Sequence, residues 1–160
     1  MKSKNNHGDK IFNKKGLKER IVNWFNKFLF EDYKIKSIVI KEEIIESIID
    51  FAKQNHPKEF VAFLGGSINK NNILEINKLL YQRFYSSKDS AYFRIEIPIT
   101  ERFFGTVHNH PTNSNIPSLD DLFLFGKYGF IHLIISFPYN KENIAAYNFK
   151  GEKIHFEIIK

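Results

Sequence analysis

Gly105-Thr106-Val107-His108-Asn109-His110-Pro111 leaves its part of the chain few conformational options. The run Phe103-Phe104-Gly105-Thr106-Val107 is apolar and β-prone, and side chains two apart on a strand face the same side, so His108 and His110 address one point. Pro111 has no amide hydrogen for a ladder and stops the strand. A polar loop follows, and Ser118-Leu119-Asp120-Asp121 then opens a helix whose apolar run is Leu122 to Phe125. Ser-x-x-Asp is a capping pattern that puts Asp121 in the first helical turn, where the dipole favours a carboxylate. Taken alone, a His-x-His at a strand end is more often a solvated or hydrogen-bonded pair than a metal site. With Asp121 it makes three protein ligands and one open position, the catalytic rather than the structural zinc pattern.

The ungapped series His108-x-His110, seven residues, Ser118, two residues, Asp121 resembles the motif of the JAMM (MPN+) metalloproteases. That motif also includes a glutamate on the first core strand, and the segment from Pro57 through Glu59 to Gly66 is similar to it. The resemblance runs over roughly residues 36–150, where strand and helix signals alternate. It implies an α/β (α+β) fold, a cytidine-deaminase-like mixed sheet flanked by helices. It further implies zinc (Zn2+) held by His108, His110 and Asp121, Glu59 as general base, and Ser118 as a stabiliser of the tetrahedral oxyanion.

The chemistry follows from these groups. Zinc held by two imidazoles and a carboxylate lowers the pKa of a coordinated water to around 7. Glu59 would take that proton and pass it to the leaving amine. An oxyanion donor of the kind expected at Ser118 is worth roughly 3–4 kcal/mol. The other reading of Ser118, a helix cap, is worth about 1 kcal/mol, and both roles require a hydroxyl free to turn toward the metal. The implied substrate is the Gly-Gly tail of a ubiquitin-like or sulfur-carrier protein, or a peptide. Its extended chain would add to a sheet edge beside the His-x-His strand.

Asn109 departs from the serine found at this place in many JAMM proteases. His108-Asn109-His110-Pro111 is similar to the RadC-like branch, which is associated with nucleic acid, although that branch generally lacks a counterpart of Glu59. Three readings therefore stand: a zinc isopeptidase, a RadC-like nucleic-acid-associated protein, and a metal-free MPN scaffold. The full ligand set disfavours the scaffold, and Glu59 favours the isopeptidase.

Charge distribution bears on the second reading. Residues 1–20 hold seven Lys/Arg against two acids, five of the six net positive charges, so the remaining body is nearly neutral. Residues 1–16 read as a flexible basic tail with at most weak polyanion contact, and residues 17–160 as one JAMM/MPN domain. Within it, Leu17, Ile21, Trp24, Phe25, Phe28 and Leu29 give residues 17–30 helical spacing, an N-terminal extension of the domain. The chain has no cysteine, which excludes thiolate zinc sites and cysteine nucleophiles. It has no membrane-length apolar run and no hydrophobic stretch behind the basic start, so a cytoplasmic protein without membrane contact is expected.

The remaining signals place strands at 35–40, 59–67, 73–80, 92–97, 131–137, 144–149 and 154–159, and helices at 41–55 and 118–127. Glu59 opens the second of these strands and is costly to bury there unless paired or functional. Gly65-Gly66 lacks the Gly-Lys-Ser/Thr of a phosphate loop and is read as close backbone packing. Basic and aromatic residues interleave over 81–100; by the family resemblance this segment borders the substrate groove. His56 is expected in a loop, and His132 and His155 as packed or hydrogen-bonded strand residues.

Overall fold

The computed structural model describes residues 35–82, 84–86, 91–93 and 102–160. The basic tail 1–16, the amphipathic stretch 17–30 and most of the strand expected at 92–97 lie outside them.

Strand β1 (Ser37–Lys41) leads directly into helix α1 (Glu42–Asn55). Glu42 and Glu43 stand in the first turn of α1, where acids complement the dipole, and Lys53 stands in its last turn. Ile44, Ile45, Ile48, Ile49 and Ala52 form its buried stripe, and each isoleucine placed there contributes about 1.5–3 kcal/mol of transfer free energy. Strands β2 (Val61–Ile68) and β3 (Ile73–Tyr81) form an antiparallel hairpin. Its turn is tied by the Asn69 carboxamide, which accepts from the amides of Asn71 and Ile73. Gly66 lies where the ladder slips by one residue, and a Cβ there would collide with the Glu75 carbonyl, so close packing is its role as expected.

Short strands β4 (Phe84–Ser86) and β5 (Ala91–Phe93) pair with each other. Strand β6 (Phe103–His110), helix α2 (Leu119–Phe125) and strand β7 (Ile131–Ser136) follow as a β-α-β unit with β6 and β7 parallel. Strands β8 (Ile144–Tyr147), β9 (Lys153–Ile154) and β10 (Glu157–Ile159) complete the chain. The single strand expected at 154–159 is thus two short ones, and His155 lies exposed between them rather than in a strand.

The large sheet has the order β10-β1-β3-β2-β6-β7-β8-β9. Its parallel pairs are β1–β10, β1–β3 and β6–β7, so the sheet is mixed, as the family resemblance implied. One buried cluster joins the apolar stripe of α1 to Val107, Leu133 and Ile135, while a second joins Phe125 and Leu122 of α2 to Ile134, Ala145 and Tyr147. Neighbouring positions on β7 thus serve opposite helices, the period-2 rule made visible. No described helix is long and apolar enough to cross a membrane.

Candidate metal centre

The site forms where β6 ends and α2 begins, at the carboxyl end of a parallel strand where α/β sheets commonly place ligands. His108 is buried and His110 partly so. They stand on the α2 side of the sheet, since Val107 between Thr106 and His108 belongs to the α1-side core. Pro111 ends β6 as expected.

Ser118 caps α2. Its Oγ accepts from the Asp121 amide at 3.2 Å, and its own amide and hydroxyl both donate to Asp121 Oδ2 at 2.7 Å. This reciprocal box fixes the Asp121 carboxylate and turns it to the histidines. Asp121 Oδ1 lies 3.0 Å from His108 Nε2, Asp121 Oδ2 lies 3.3 Å from His110 Nε2, and the two Nε2 atoms are 3.1 Å apart.

These residues fit a metal ion. His110 Nδ1 is 2.9 Å from the Ser114 carbonyl, which can only accept, so the proton of the neutral ring sits on Nδ1 and a lone pair on Nε2. In that tautomer the lone pair faces the Nε2 of His108 and a carboxylate, a donor set that suits a metal cation. A tetrahedral ion with bonds of about 2.0–2.1 Å separates its ligand atoms by roughly 3.3–3.4 Å, close to the spacings found. The Ser114 carbonyl is the outer partner that orients a ligating imidazole.

Without a metal the two imidazoles pair with the same carboxylate. Burial pushes the Asp121 carboxyl up, but hydrogen bonds from His108, His110 and Ser118 outweigh it and hold the group well below the usual carboxylate range. The hydrogen bond to Asp121 raises the His110 pKa against the opposing effect of burial, and the Ser114 carbonyl and the charges of Asp121 and Glu59 add to it.

Glu59 does not open a strand. It is exposed and lies in the connection before β2, which begins at Val61. The physical reason is that the Phe60 amide bonds to the Asn109 side chain, not to a neighbouring strand, so the ladder starts one residue later. Strand β6 is hydrogen-bonded to β2 on one side and β7 on the other, so it offers no edge of its own.

Two histidines outside the cluster have clear places. His132 is fully buried on β7, within 2.8 Å of Thr106 Oγ1 and 3.2 Å of the Gly129 carbonyl, and stacked on Phe125 at 4.1 Å. Burial drops its pKa to about 3, so it stays neutral. His56, in a loop as expected, reaches the Tyr139 hydroxyl at 3.0 Å. The sequence reading missed Tyr139 and the intramolecular partners of Asn109. A polar side chain alternating with two histidines on a core strand is the signal that could have found the latter.

A family model described as prokaryotic homologs of the JAB domain matches residues 41–150. A JAB1/MPN domain protein from Archaeoglobus fulgidus has a similar structure, at 35% identity and TM-score 0.61, over 76% of this chain and 98% of that one. A structure described as JAMM, a metalloprotease-like zinc site in the proteasome and signalosome, is similar at 30% identity and TM-score 0.59, over 78% of this chain and 100% of that one. A protein of Haloferax volcanii named a probable metalloprotease is 24% identical over 127 residues, 75% of this chain and 78% of the relative. With the cluster at the end of β6 and the fold around it, these likenesses establish that the chain belongs to the JAB (JAMM/MPN) domain family, among its prokaryotic homologs.

Proposed function

We propose that the protein is a zinc-dependent isopeptidase or peptidase that cleaves the amide bond after the Gly-Gly tail of a ubiquitin-like or sulfur-carrier protein. The observation that carries this reading is the convergence of His108, His110 and Asp121 on one point. Zinc bound there supplies Lewis acidity, which acidifies water and polarises the scissile carbonyl. Glu59, a carboxylate exposed to solvent, accepts the proton of the attacking water and returns it to the leaving amine. Asp121 contributes a fixed anion, kept charged by three hydrogen-bonding side chains. Ser118 spends its hydroxyl proton on Asp121 Oδ2, so a second role toward the oxyanion requires that hydroxyl to rotate.

A protein-sized substrate is supported by the apolar surface around the cap. Ile116, Leu119 and Phe123 are 71%, 85% and 67% exposed, and Leu119 and Phe123 share one face of α2. Apolar surface beside a reactive centre suits a folded partner that covers it.

The test is to offer Gly-Gly-lysine isopeptide conjugates of small modifier proteins beside a generic unfolded protein. Release of free modifier that stops with a zinc chelator and in Glu59→Gln supports the reading. Cleavage of the unfolded chain at many sites with the conjugates intact identifies a different peptidase.

A further inference from the structure

We infer that Asn109 and Tyr139 are positioning residues that set Glu59 against the metal ligands, an inference that rests on the function proposed above. Asn109 is fully buried on the strand that carries both histidines, yet it faces away from them. Its Oδ1 accepts from the Phe60 amide at 2.7 Å, and its Nδ2 donates to the Lys58 carbonyl at 3.1 Å. These backbone groups flank Glu59 on either side. One carboxamide thus pins the peptide units around the general base to the residue between the two histidine ligands.

The strap has a second member. Asn109 Nδ2 lies 3.5 Å from the Tyr139 hydroxyl, which in turn lies 3.0 Å from His56 Nδ1 at the start of the same loop. Tyr139 is 2% exposed, and its backbone holds φ at 62°, a left-handed conformation that bulky residues seldom adopt. Such a conformation persists only where the surroundings enforce it. Here the ring lies edge-on to His56 at 5.8 Å and to Phe137 at 5.8 Å.

The loop needs this support. Between α1 and β2 its backbone bonds are His56 N to Ala52 O and Lys58 N to Asn55 O, both at the helix end. From there to Val61 the buried Phe60 ring, edge-on to Phe51 at 5.0 Å, anchors one side chain, and Asn109 holds the peptide groups on both sides of Glu59. A general base acts only within hydrogen-bond reach of its proton, with tolerances of about half an ångström. The buried Phe60 ring fixes the neighbouring side chain, whereas the carboxamide fixes the orientation of the Glu59 peptide units themselves. Because the strap begins on β6, the two histidines and the base are referenced to one strand.

The full-length protein loaded with zinc or with cobalt(II) tests this, comparing wild type, Glu59→Gln, Asn109→Ala and Tyr139→Phe. Asn109→Ala is expected to keep one metal per chain and to lower kcat on a Gly-Gly-lysine conjugate about 10- to 100-fold, with KM little changed. Its cobalt d–d spectrum, which responds to the groups beside the open coordination position, is expected to move toward that of Glu59→Gln. Tyr139→Phe, which removes a single oxygen, is expected to move both readouts the same way by a smaller amount, and it decides the matter if Asn109→Ala does not fold. Metal content falling in step with kcat would overturn the inference, since the strap would then merely hold the site together. A normal effect of Glu59→Gln beside wild-type behaviour of Asn109→Ala and Tyr139→Phe would overturn the strap and leave the proposed function standing. Wild-type turnover in Glu59→Gln would overturn both.

Discussion

His108 Nε2 and Asp121 Oδ1 stand 3.0 Å apart although one residue ends a strand and the other begins a helix. Thirteen positions separate them in the chain, and the loop that closes the distance is anchored at both ends. Pro111 stops β6 at one end and the Ser118–Asp121 box fixes α2 at the other. The cluster is thus built by element termini, not by a long-range packing accident.

The first consequence concerns metal content. Protein purified with zinc is expected to hold about one ion per chain, bound by His108, His110 and Asp121. Elemental analysis should show the metal lost in His108→Ala, His110→Ala and Asp121→Ala. Loaded protein should also melt higher than chelated protein, because an ion that binds only the folded state stabilises it. Equal melting temperatures with and without zinc would contradict the site.

Glu59 is expected to separate from the ligands. Glu59→Gln should retain zinc, since the side chain is exposed and outside the ligand cluster. Hydrolysis should fall by about 10²- to 10⁴-fold, the usual contribution of a positioned acid–base group. Metal analysis and turnover on the same preparation check both halves.

Ser118 tests the division between capping and catalysis. Ser118→Ala removes the single hydroxyl that both caps α2 and donates to Asp121. The cap alone predicts a loss of about 1 kcal/mol in urea unfolding. If the serine also serves the oxyanion, kcat should drop by about 10²–10³ at full zinc occupancy. Ser118→Thr keeps a capping hydroxyl and should recover the stability.

The fold was legible wherever the pattern was local. The alternation that ends at Pro111, the Ser-x-x-Asp cap and the isoleucine stripe of α1 each carry their own period, and each appears close to where it was expected. Glu59 was misplaced because what delays the start of β2 is Asn109, a contact 49 residues distant that no window of the sequence contains. The pairing of β6 on both flanks was hidden for the same reason. Strand order is a property of the whole sheet, while periodicity reports one strand at a time. Residues 154–159 alternate less clearly, and the chain breaks there into β9 and β10, which pair with different strands at opposite ends of the sheet.

His132 gives the last prediction, a pH dependence of stability. In the folded protein burial lowers its pKa to about 3 from the ordinary value of 6.5. The folded state therefore resists a proton that the unfolded chain accepts. The contribution is fully present above pH 6.5 and is lost as the pH falls toward 3, with a slope approaching about 1.4 kcal/mol per pH unit. In metal-free protein His110 opposes this trend, because its raised pKa adds stability below its unfolded value and loses it as pH rises. The comparison must therefore be made in one metal state against a variant of His132 alone. A glutamine side chain cannot titrate and keeps hydrogen-bonding groups for Thr106 Oγ1 and the Gly129 carbonyl, so the substitution His132→Gln is the one to use. Urea unfolding at about pH 7.5, 6 and 5, a series that straddles the unfolded value, should show the wild type losing more stability than His132→Gln as the pH falls. Parallel curves for the two proteins would mean that folded His132 takes up a proton as readily as the unfolded chain does, contrary to its burial between Phe125 and β6.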